Sequence, residues 1–347
     1  MGTFIPTRLK KAREDAGLTQ EAFARSLGLS SEFISLLEAG KRAPSLNTLA
    51  RIAAHFHRDA SFFLGEKEPA FTLLFRAASL NLSPGALLEL EHFQRYAEDY
   101  LRLEEATGRR LELAPLYSGN LPPGRMAAEE RRRLGLGDEP IRDIFSLLER
   151  SGCRILRRPF PEDVEISGVF VFLEARNAAF ALVNSAQTLC RQVFTAAHEY
   201  CHCLKDRHDA PLIDSREIFA VERSGSFKGQ GAKEQFAQEF AARFLMPPAK
   251  VREVVEQEIG AGRPISFDDV LLLKRYFGVS AQAMLRTLRD LEILSAAQFE
   301  DFAALDPVAR EREVFGASAE EHGPASSFVS DRYNLLVSED TARRKTT

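Results

Sequence analysis

The chain has 347 residues and a net charge of −4. Its hydrophobic residues, 45% of the total, are ample for the buried cores of two or three domains. It contains no apolar run long enough to span a bilayer, and its first residues lack the apolar core of a signal peptide. We therefore expect a soluble cytoplasmic protein that does not enter a membrane. The cysteines are too few for a disulfide scaffold, and we expect small buried thiols at Cys153, Cys190, Cys201 and Cys203.

The charge is unevenly distributed along the chain. Residues 1–64 carry nine Lys/Arg and six Asp/Glu, which gives +3 for this segment and leaves −7 for the remainder. A basic end on an acidic protein favours nucleic acid as a partner.

This basic segment predicts five short helices. Their predicted bounds are Thr7 to Ala16, Gln20 to Leu27, Ser31 to Glu38, Leu46 to Phe56 and Ser61 to Leu64. A helix, a tight turn at Gly28 and a second helix make the helix-turn-helix pattern of DNA-binding domains. A plain helical bundle is the alternative interpretation.

The segment resembles the XRE family of DNA-binding domains. The residues that carry the resemblance are Leu18-Thr19-Gln20-Glu21, Ile34-Ser35, Glu38-x-Gly40-x-Arg42-x-Pro44 and Leu49. The resemblance implies that the recognition helix points three side chains at base edges: Ser31, Glu32 and Ser35. Three further side chains, at a helix N-terminus and in the adjoining loop, would hold phosphates: Gln20, Lys41 and Arg42. The implied partner is a near-palindromic double-stranded DNA operator, bound by a homodimer.

The segment from Glu66 to Glu112 predicts a long helical connector. Ser83-Pro84 supplies an N-cap and a first-turn proline, and apolar residues at helical spacing continue to Thr107. A spacer between domains and a dimer contact are both open as its role. The proline- and glycine-rich segment Leu113 to Gly124 is the expected domain boundary.

A small sheet is predicted after this boundary. Helices are expected at Met126 to Leu134 and Pro140 to Ser151, and strands at Cys153 to Arg158, Gly168 to Leu173 and Ala178 to Val183. The last two strands would form a hairpin. An exposed edge of such a sheet can pair with an extended substrate backbone, and a purely structural sheet is the alternative.

The stretch from His198 to His202 has the spacing H-E-x-x-H. Residues 188–204 contain no Gly or Pro and carry apolar residues at helical spacing, which predicts a helix. His198 and His202 then lie one turn apart on the same face, where two imidazoles can bind one Zn²⁺. Glu199 beside them can act on water at the metal. The alternative, polar side chains on a solvated face, is disfavoured by the apolar neighbours.

A catalytic zinc site also needs a third protein ligand. The segment from Lys233 to Pro247 predicts a second buried helix, and Glu234 lies on a face of small residues that allows close approach to a neighbour. We therefore favour Glu234 as this ligand. Rival candidates lie in the polar stretch between the two helices: His208, Asp209, Asp214, Glu217 and Glu222.

Both helices resemble the ImmA/IrrE family of metallopeptidases, and the resemblance spans about residues 127 to 295. Besides H-E-x-x-H, it rests on Pro140-Ile141, Leu148-Glu149, Val183-Asn184, Arg191-Gln192-x-Phe194-Thr195, Glu234-x-x-Ala237-x-x-Phe240-Ala241 and Leu245-Met246-Pro247. It implies a metal on His198, His202 and Glu234, and Glu199 as general base. Two positions depart from the family pattern: Gln238, where Asn is usual, and Cys201, where a small residue is usual.

The C-terminal third predicts a helical pair followed by a tail. The pair, Ser266 to Phe277 and Ala281 to Leu291, is itself helix-turn-helix-like, but a packing hairpin is the favoured interpretation. Residues 305–347 are polar and predict a partly disordered tail.

The predicted fold is mainly α with a small sheet (α+β). Its five predicted parts are an XRE-type helix-turn-helix domain over residues 1–66, a helical linker over 67–124, a zincin-like peptidase domain over 125–262, C-terminal helix-turn-helix-like helices over 263–304 and a polar tail over 305–347.

The predicted function is regulation of transcription by a DNA-binding zinc endopeptidase. In the metal-assisted hydrolysis, Glu199 takes a proton from water and delivers it to the leaving amine. The family resemblance implies a protein substrate, commonly a helix-turn-helix repressor of stress or mobile-element genes, cleaved in cis or in trans. Two alternatives stay open: a regulator that senses a metal or another signal without proteolysis, and an antitoxin-like binding protein. An intact Glu199 argues against a sensor, which would need only the ligands.

Overall fold

The computed structural model describes residues 4, 6–56, 58, 60–64, 83–162, 166–209, 212–215, 230–260, 262–318, 320 and 328–346. Contacts divide the chain into two compact units, Met1–Asp99 with Pro161–Val164 and Tyr100–Phe160 with Glu165–Thr347. The mainly α fold with a small sheet confirms the predicted class. Over the described ranges, no helix combines the length and the apolar character that crossing a membrane requires.

The first unit is a bundle of short helices. Its helices are α1 (Pro6–Asp15), α2 (Gln20–Ser26), α3 (Ser31–Glu38), α4 (Leu46–His55) and a 3-10 turn (Ala60–Phe63). Side-chain oxygens of Thr19, Ser30 and Ser45 accept the N–H three residues on and so cap α2, α3 and α4. The bundle closes around apolar side chains that are fully buried: Leu9, Phe23, Ile34, Leu37, Ile52 and Phe63.

A long helix, α5 (Pro84–Thr107), begins in the first unit and ends in the second, as the N-cap and proline at its start predict. The second unit is built on four strands in the order β1-β3-β2-β4. They are β1 (Cys153–Arg158), β2 (Ile166–Leu173), β3 (Ala178–Asn184) and β4 (Leu212–Ser215). β1 runs parallel to β3, whereas β2 is antiparallel to both β3 and β4. The predicted β2–β3 hairpin is present, but β4 lies in the polar stretch between the two predicted helices, where no strand was predicted.

The described part of this unit contains ten further α-helices. They are α6 (Pro123–Arg133), α7 (Ile144–Arg150), α8 (Leu189–Lys205), α9 (Gln230–Leu245), α10 (Pro248–Val254), α11 (Phe267–Phe277), α12 (Ala281–Asp290), α13 (Ala296–Ala303), α14 (Pro307–Phe315) and α15 (Asp331–Thr346). α8 packs on β2 and β3, and α9 packs on α8 and α6. This stacking places α8, which carries the H-E-x-x-H residues, between the sheet and α9.

The segment Leu113 to Gly124 is not the boundary between the two units. The contact division falls between Asp99 and Tyr100, inside α5. The backbone N–H of Ala114 donates to Ser151 O at 3.1 Å and that of Tyr117 to Leu204 O at 2.7 Å. These hydrogen bonds tie the proline-rich segment into the second unit, of which it is a part, and composition alone cannot reveal them.

The expectation of a partly disordered tail over residues 305–347 is wrong for its described part. α14 and α15 are regular helices, and Leu336 in α15 and Glu311 in α14 are fully buried. Polar composition misled the prediction because the charged side chains of this segment bind partners elsewhere in the fold. Arg343 of α15, for example, donates to the carbonyls of Ala106 and Thr107 at the C-terminal end of α5, where a cation is favourable.

Candidate metal centre

Helix α8 brings the H-E-x-x-H residues into the interior. The hydroxyl of Thr188 caps its start by accepting the N–H of Arg191. His198, Glu199 and His202 are 1%, 0% and 1% exposed. Burial of three ionisable side chains is costly unless they satisfy one another or a ligand.

Helix α9 supplies the third side chain. Ala237 and Ala241 are fully buried on its small-residue face, and short side chains let two helix backbones approach closely. Glu234, one turn before Ala237, is therefore carried to the histidines and is 2% exposed. The structure thus brings together the three residues for which the sequence predicted a ligand role.

The three ligand atoms form a compact triangle. His198 Nε2 lies 2.9 Å from Glu234 Oε2, His202 Nε2 lies 3.2 Å from His198 Nε2, and His202 Nε2 lies 3.7 Å from Glu234 Oε2. Two atoms bound to one tetrahedral zinc at about 2.0–2.1 Å would be about 3.3 Å apart. The three sides scatter around that value, so this donor set fits a single cation of the size of zinc.

The electrostatics of the centre also suit a cation. Burial lowers the pKa of His202, but hydrogen bonds with Asp206 and Glu234 outweigh burial and raise this pKa to about 10. Burial raises the pKa of Glu234, and hydrogen bonds with the two histidines outweigh it and lower this pKa to about 2. The carboxylates that favour a cationic imidazole here would equally favour a bound divalent cation.

Asp206 is a site residue that the sequence prediction missed. Its Oδ2 lies 3.4 Å from His202 Nδ1, on the side of the ring away from Glu234. A carboxylate in this position fixes the orientation of a metal-binding imidazole. The only signal in the sequence is the spacing of four residues after His202, which is too common to single out Asp206.

Glu199 points toward the sheet instead of joining the triangle. A Cβ placed on Gly168 of β2 would lie 3.0 Å from Glu199 Cδ and closer still to its Oε1. The negative charge of Glu199 also contributes to the raised pKa of His202. Glu199 is thus close to the ligands without being one of them.

Two of the rival ligands, His208 and Asp209, are paired elsewhere. His208 Nδ1 lies 3.1 Å from Glu174 Oε1, and Lys233 Nζ lies 2.6 Å from Asp209 Oδ2, both among exposed side chains. Asp214 belongs to β4. The candidates Glu217 and Glu222 lie outside the described residues. Over the described part of the chain, the only cluster of three metal-binding side chains is His198, His202 and Glu234.

The candidate DNA contacts lie on the first unit. Ile34 and Leu37 of α3 face the core of the bundle, so the opposite face of α3 points outward. Three predicted base contacts are exposed there: Ser31, Glu32 and Ser35. Two predicted phosphate contacts, Lys41 and Arg42, are exposed in the following loop, and the Arg42 guanidinium lies 4.7 Å from the centre of the Phe33 ring.

Gln20 is placed differently from the other candidates. Its Nε2 donates to Glu38 Oε2 at 2.8 Å, and Arg13 binds the same carboxylate through Nε at 2.6 Å and Nη2 at 3.0 Å. The Glu38 side chain is only 3% exposed. This buried network links α1, α2 and α3, so Gln20 has a structural hydrogen bond in addition to any contact with DNA.

Comparisons with known proteins match the helix bundle and the part that carries the candidate metal centre to two different family models. A family model described as an IrrE N-terminal-like domain matches residues 148–289, and one described as a helix-turn-helix matches residues 9–63. The chain joins a helix-turn-helix domain to an IrrE N-terminal-like domain. No curated protein matches the chain. Among solved structures, it is similar to Bacillus thuringiensis PlcR in complex with the peptide PapR7 and DNA, at 13% identity over 90% of this chain and 95% of that chain, with a TM-score of 0.23. That score is too low to bear on function.

The IrrE N-terminal-like domain contains all the cysteines as free, buried thiols. Burial raises the pKa of Cys201 well above its ordinary value. Cys201 therefore stays protonated, and a thiol is a much weaker metal ligand than a thiolate. This departure from the family pattern leaves the His-His-Glu donor set unchanged.

Proposed function

We propose that the chain is a zinc-dependent endopeptidase that binds DNA and regulates transcription. One observation carries the proposal. The Nε2 atoms of His198 and His202 and Oε2 of Glu234 converge within 3.7 Å, and a buried carboxylate, Glu199, lies beside them. Three protein ligands, an open position and an adjacent carboxylate are the parts that a hydrolytic zinc site needs.

Each residue would have a distinct role. His198, His202 and Glu234 would hold the zinc, which when bound supplies a Lewis acid that polarises a peptide carbonyl and acidifies water. Glu199 would accept the proton of the attacking water and then transfer it to the leaving amine nitrogen. Asp206 would keep His202 oriented and its Nε2 available.

The proposed substrate is a helix-turn-helix repressor, and the proposed outcome of its cleavage is expression of stress or mobile-element genes. Both follow from the resemblance to the ImmA/IrrE family and from the fusion to a helix-turn-helix domain. We further propose that residues 1–66 bind a double-stranded operator as a homodimer, with Ser31, Glu32 and Ser35 at bases. The proposed location is the cytoplasm.

Metal content tests the ligand assignment. Protein purified without added metal should hold about one zinc per chain, measured by mass spectrometry of the elements. His202→Ala should lose that zinc because two ligands bind it far more weakly. Full zinc occupancy in His202→Ala would refute the assignment.

Comparing Glu199→Gln with His202→Ala separates a peptidase from a sensor and from an antitoxin-like protein. Glu199→Gln should keep the metal but lose the base, and loss of a general base slows a reaction about 10²–10⁴-fold. A co-expressed repressor should then stay intact, and target transcripts should stay low. If Glu199→Gln regulates normally while His202→Ala does not, the chain senses metal without cleaving. If both variants regulate normally, binding alone accounts for its action.

A further inference from the structure

A stripe of three side chains on α8 faces strand β2. Arg191, Thr195 and Glu199 are spaced by four residues, so they lie along one face of the helix. Arg191 Nη2 donates to Ser167 Oγ at 3.2 Å. A Cβ on Gly168 would lie 2.6 Å from Thr195 Cγ2 and within 3.0 Å of the Glu199 carboxyl group. The helix therefore crosses β2 at its one residue without a side chain.

The surroundings of Gly168 leave little freedom to move. β2 is an inner strand, and Gly168 pairs with Val183 of β3 and with Asp214 of β4. The register with β4 shifts between Ile166 and Gly168, which places Ser167 in a bulge. Ser167 is fully buried and also accepts from Gln187 Nε2 at 3.0 Å. Hydrogen bonds through Ser167 thus tie the strand to the N-terminal end of the helix next to the crossing.

We propose that Gly168 is a positioning residue for Glu199: the space left by its missing side chain is the slot in which the Glu199 carboxylate lies. Any side chain at position 168 would displace this carboxylate, because Glu199 is flexible at its far end whereas the paired strand and the anchored helix are not. The inference rests on the proposed peptidase function, and it adds that a residue with no functional group sets the position of the base.

The test is Gly168→Ala in the full-length chain. A proteome-derived peptide library, read by mass spectrometry, supplies the first cleavable peptide, and kcat and KM are then measured on that peptide. A misplacement of about 1 Å costs about 10²-fold in rate, so kcat should fall about 10²-fold in Gly168→Ala with little change in KM or zinc content. The matched control is Gly231→Ala on α9, where an added Cβ meets nothing within 4 Å and the rate should stay that of the wild type.

Three outcomes would overturn the inference. One is a wild-type kcat in Gly168→Ala. Another is recovery of kcat in Gly168→Ala/Thr195→Ala, since that would assign the effect to the contact with Thr195. The third is a loss of zinc in proportion to the loss of rate, which would indicate general damage to the centre.

If the wild type cleaves nothing, the proposed function itself fails. A thermal double-mutant cycle still tests whether Gly168 positions Glu199. The Tm loss caused by Gly168→Ala should be smaller when Glu199 is already alanine, because the clash with the carboxylate is gone. Additive Tm changes would show that Gly168 does not hold Glu199 and would overturn the inference independently of any activity.

Discussion

Lys274 in α11 binds two carboxylates of the C-terminal segment, and Lys274→Met tests how that segment is attached. Lys274 Nζ lies 2.8 Å from Glu311 Oε2 and 2.8 Å from Glu320 Oε1. Lys274 and Glu311 are both fully buried. Glu320 Oε1 also accepts the backbone N–H of Ala281 at the start of α12, at 2.7 Å. The substitution keeps an unbranched apolar stem and removes the cation.

The expected magnitude follows from burial and from the partners that remain. Removing one member of a buried ion pair costs about 3–5 kcal/mol, because the other charge stays buried. Glu311 retains Arg275 Nη1 at 3.0 Å and Ser318 Oγ at 2.7 Å. We therefore expect about 3 kcal/mol, the lower end of that range. In a domain of this size each kcal/mol lowers Tm by about 2–4 °C, so the loss should be about 6–12 °C.

Differential scanning calorimetry of the full-length chain measures this loss. The matched control is Arg310→Met, because Arg310 of α14 also pairs with α11, through Nη2 at 2.7 Å from Asp268 Oδ2. Those side chains are 45% and 42% exposed, and solvent screens such a pair, so Tm should change little. Equal Tm losses in the two variants would refute the argument that burial makes the Lys274 contacts strong.

The same variant has a defined pH dependence. Burial raises the pKa of Glu311, but its hydrogen bonds with Lys274, Ser318 and Arg275 outweigh burial and hold this pKa below the ordinary 4.5. A depressed carboxyl pKa contributes stability that is present above 4.5 and is lost as pH falls through the folded-state pKa. Without Lys274 the depression shrinks, so the Tm difference between wild type and Lys274→Met should narrow as pH falls below 4.5 toward the folded-state pKa of Glu311. A difference that widens on acidification would contradict this reasoning.

Two further predictions concern the metal centre and the DNA interface. Asp206→Asn should weaken zinc binding about 10–100-fold in competition with a chelating dye, and an unchanged affinity would exclude Asp206 as the support of His202. Lys41→Ala should weaken binding to all DNA sequences and lower the salt slope by about one, whereas Glu32→Ala should change which sequences are preferred. Fluorescence anisotropy over a range of salt concentrations measures both, and an unaltered slope for Lys41→Ala would remove Lys41 from the interface.

Features encoded by neighbouring residues were predictable from the sequence. The helices predicted from Gln20 and from Ser266 are present, with Thr19 and Ser266 as their N-caps. The predicted β2–β3 hairpin turns at Asn177, which adopts the left-handed conformation with φ 43°. The candidate metal ligands could also be predicted, because two lie on one helix and the third is the carboxylate on the small-residue face of another. In each case the signal is a spacing within a single element, which requires no knowledge of how elements pack.

Features that depend on pairing between distant residues were not predictable. The charges of α14 and α15 read as a solvated tail, yet Glu311 is buried because Lys274, 37 positions earlier, faces it. The segment from Leu113 to Gly124 reads as a linker, yet its backbone bonds to Ser151 and Leu204. Composition reports the polarity of a residue, whereas burial depends on whether a partner of opposite charge or a free backbone group lies opposite it.

Gly168 shows the limit of motif-based reasoning most clearly. Gly168 lies inside the observed strand β2, where a glycine weakens the strand and often marks the close approach of another element. Here the other element is the helix which crosses β2 and directs Thr195 and Glu199 at this position. The motif names the side chain that carries the chemistry, but the space for that side chain is provided by a residue 31 positions earlier that contributes no atom beyond its backbone. A site of this kind therefore depends on its functional groups and also on the positions without a side chain that leave room for them.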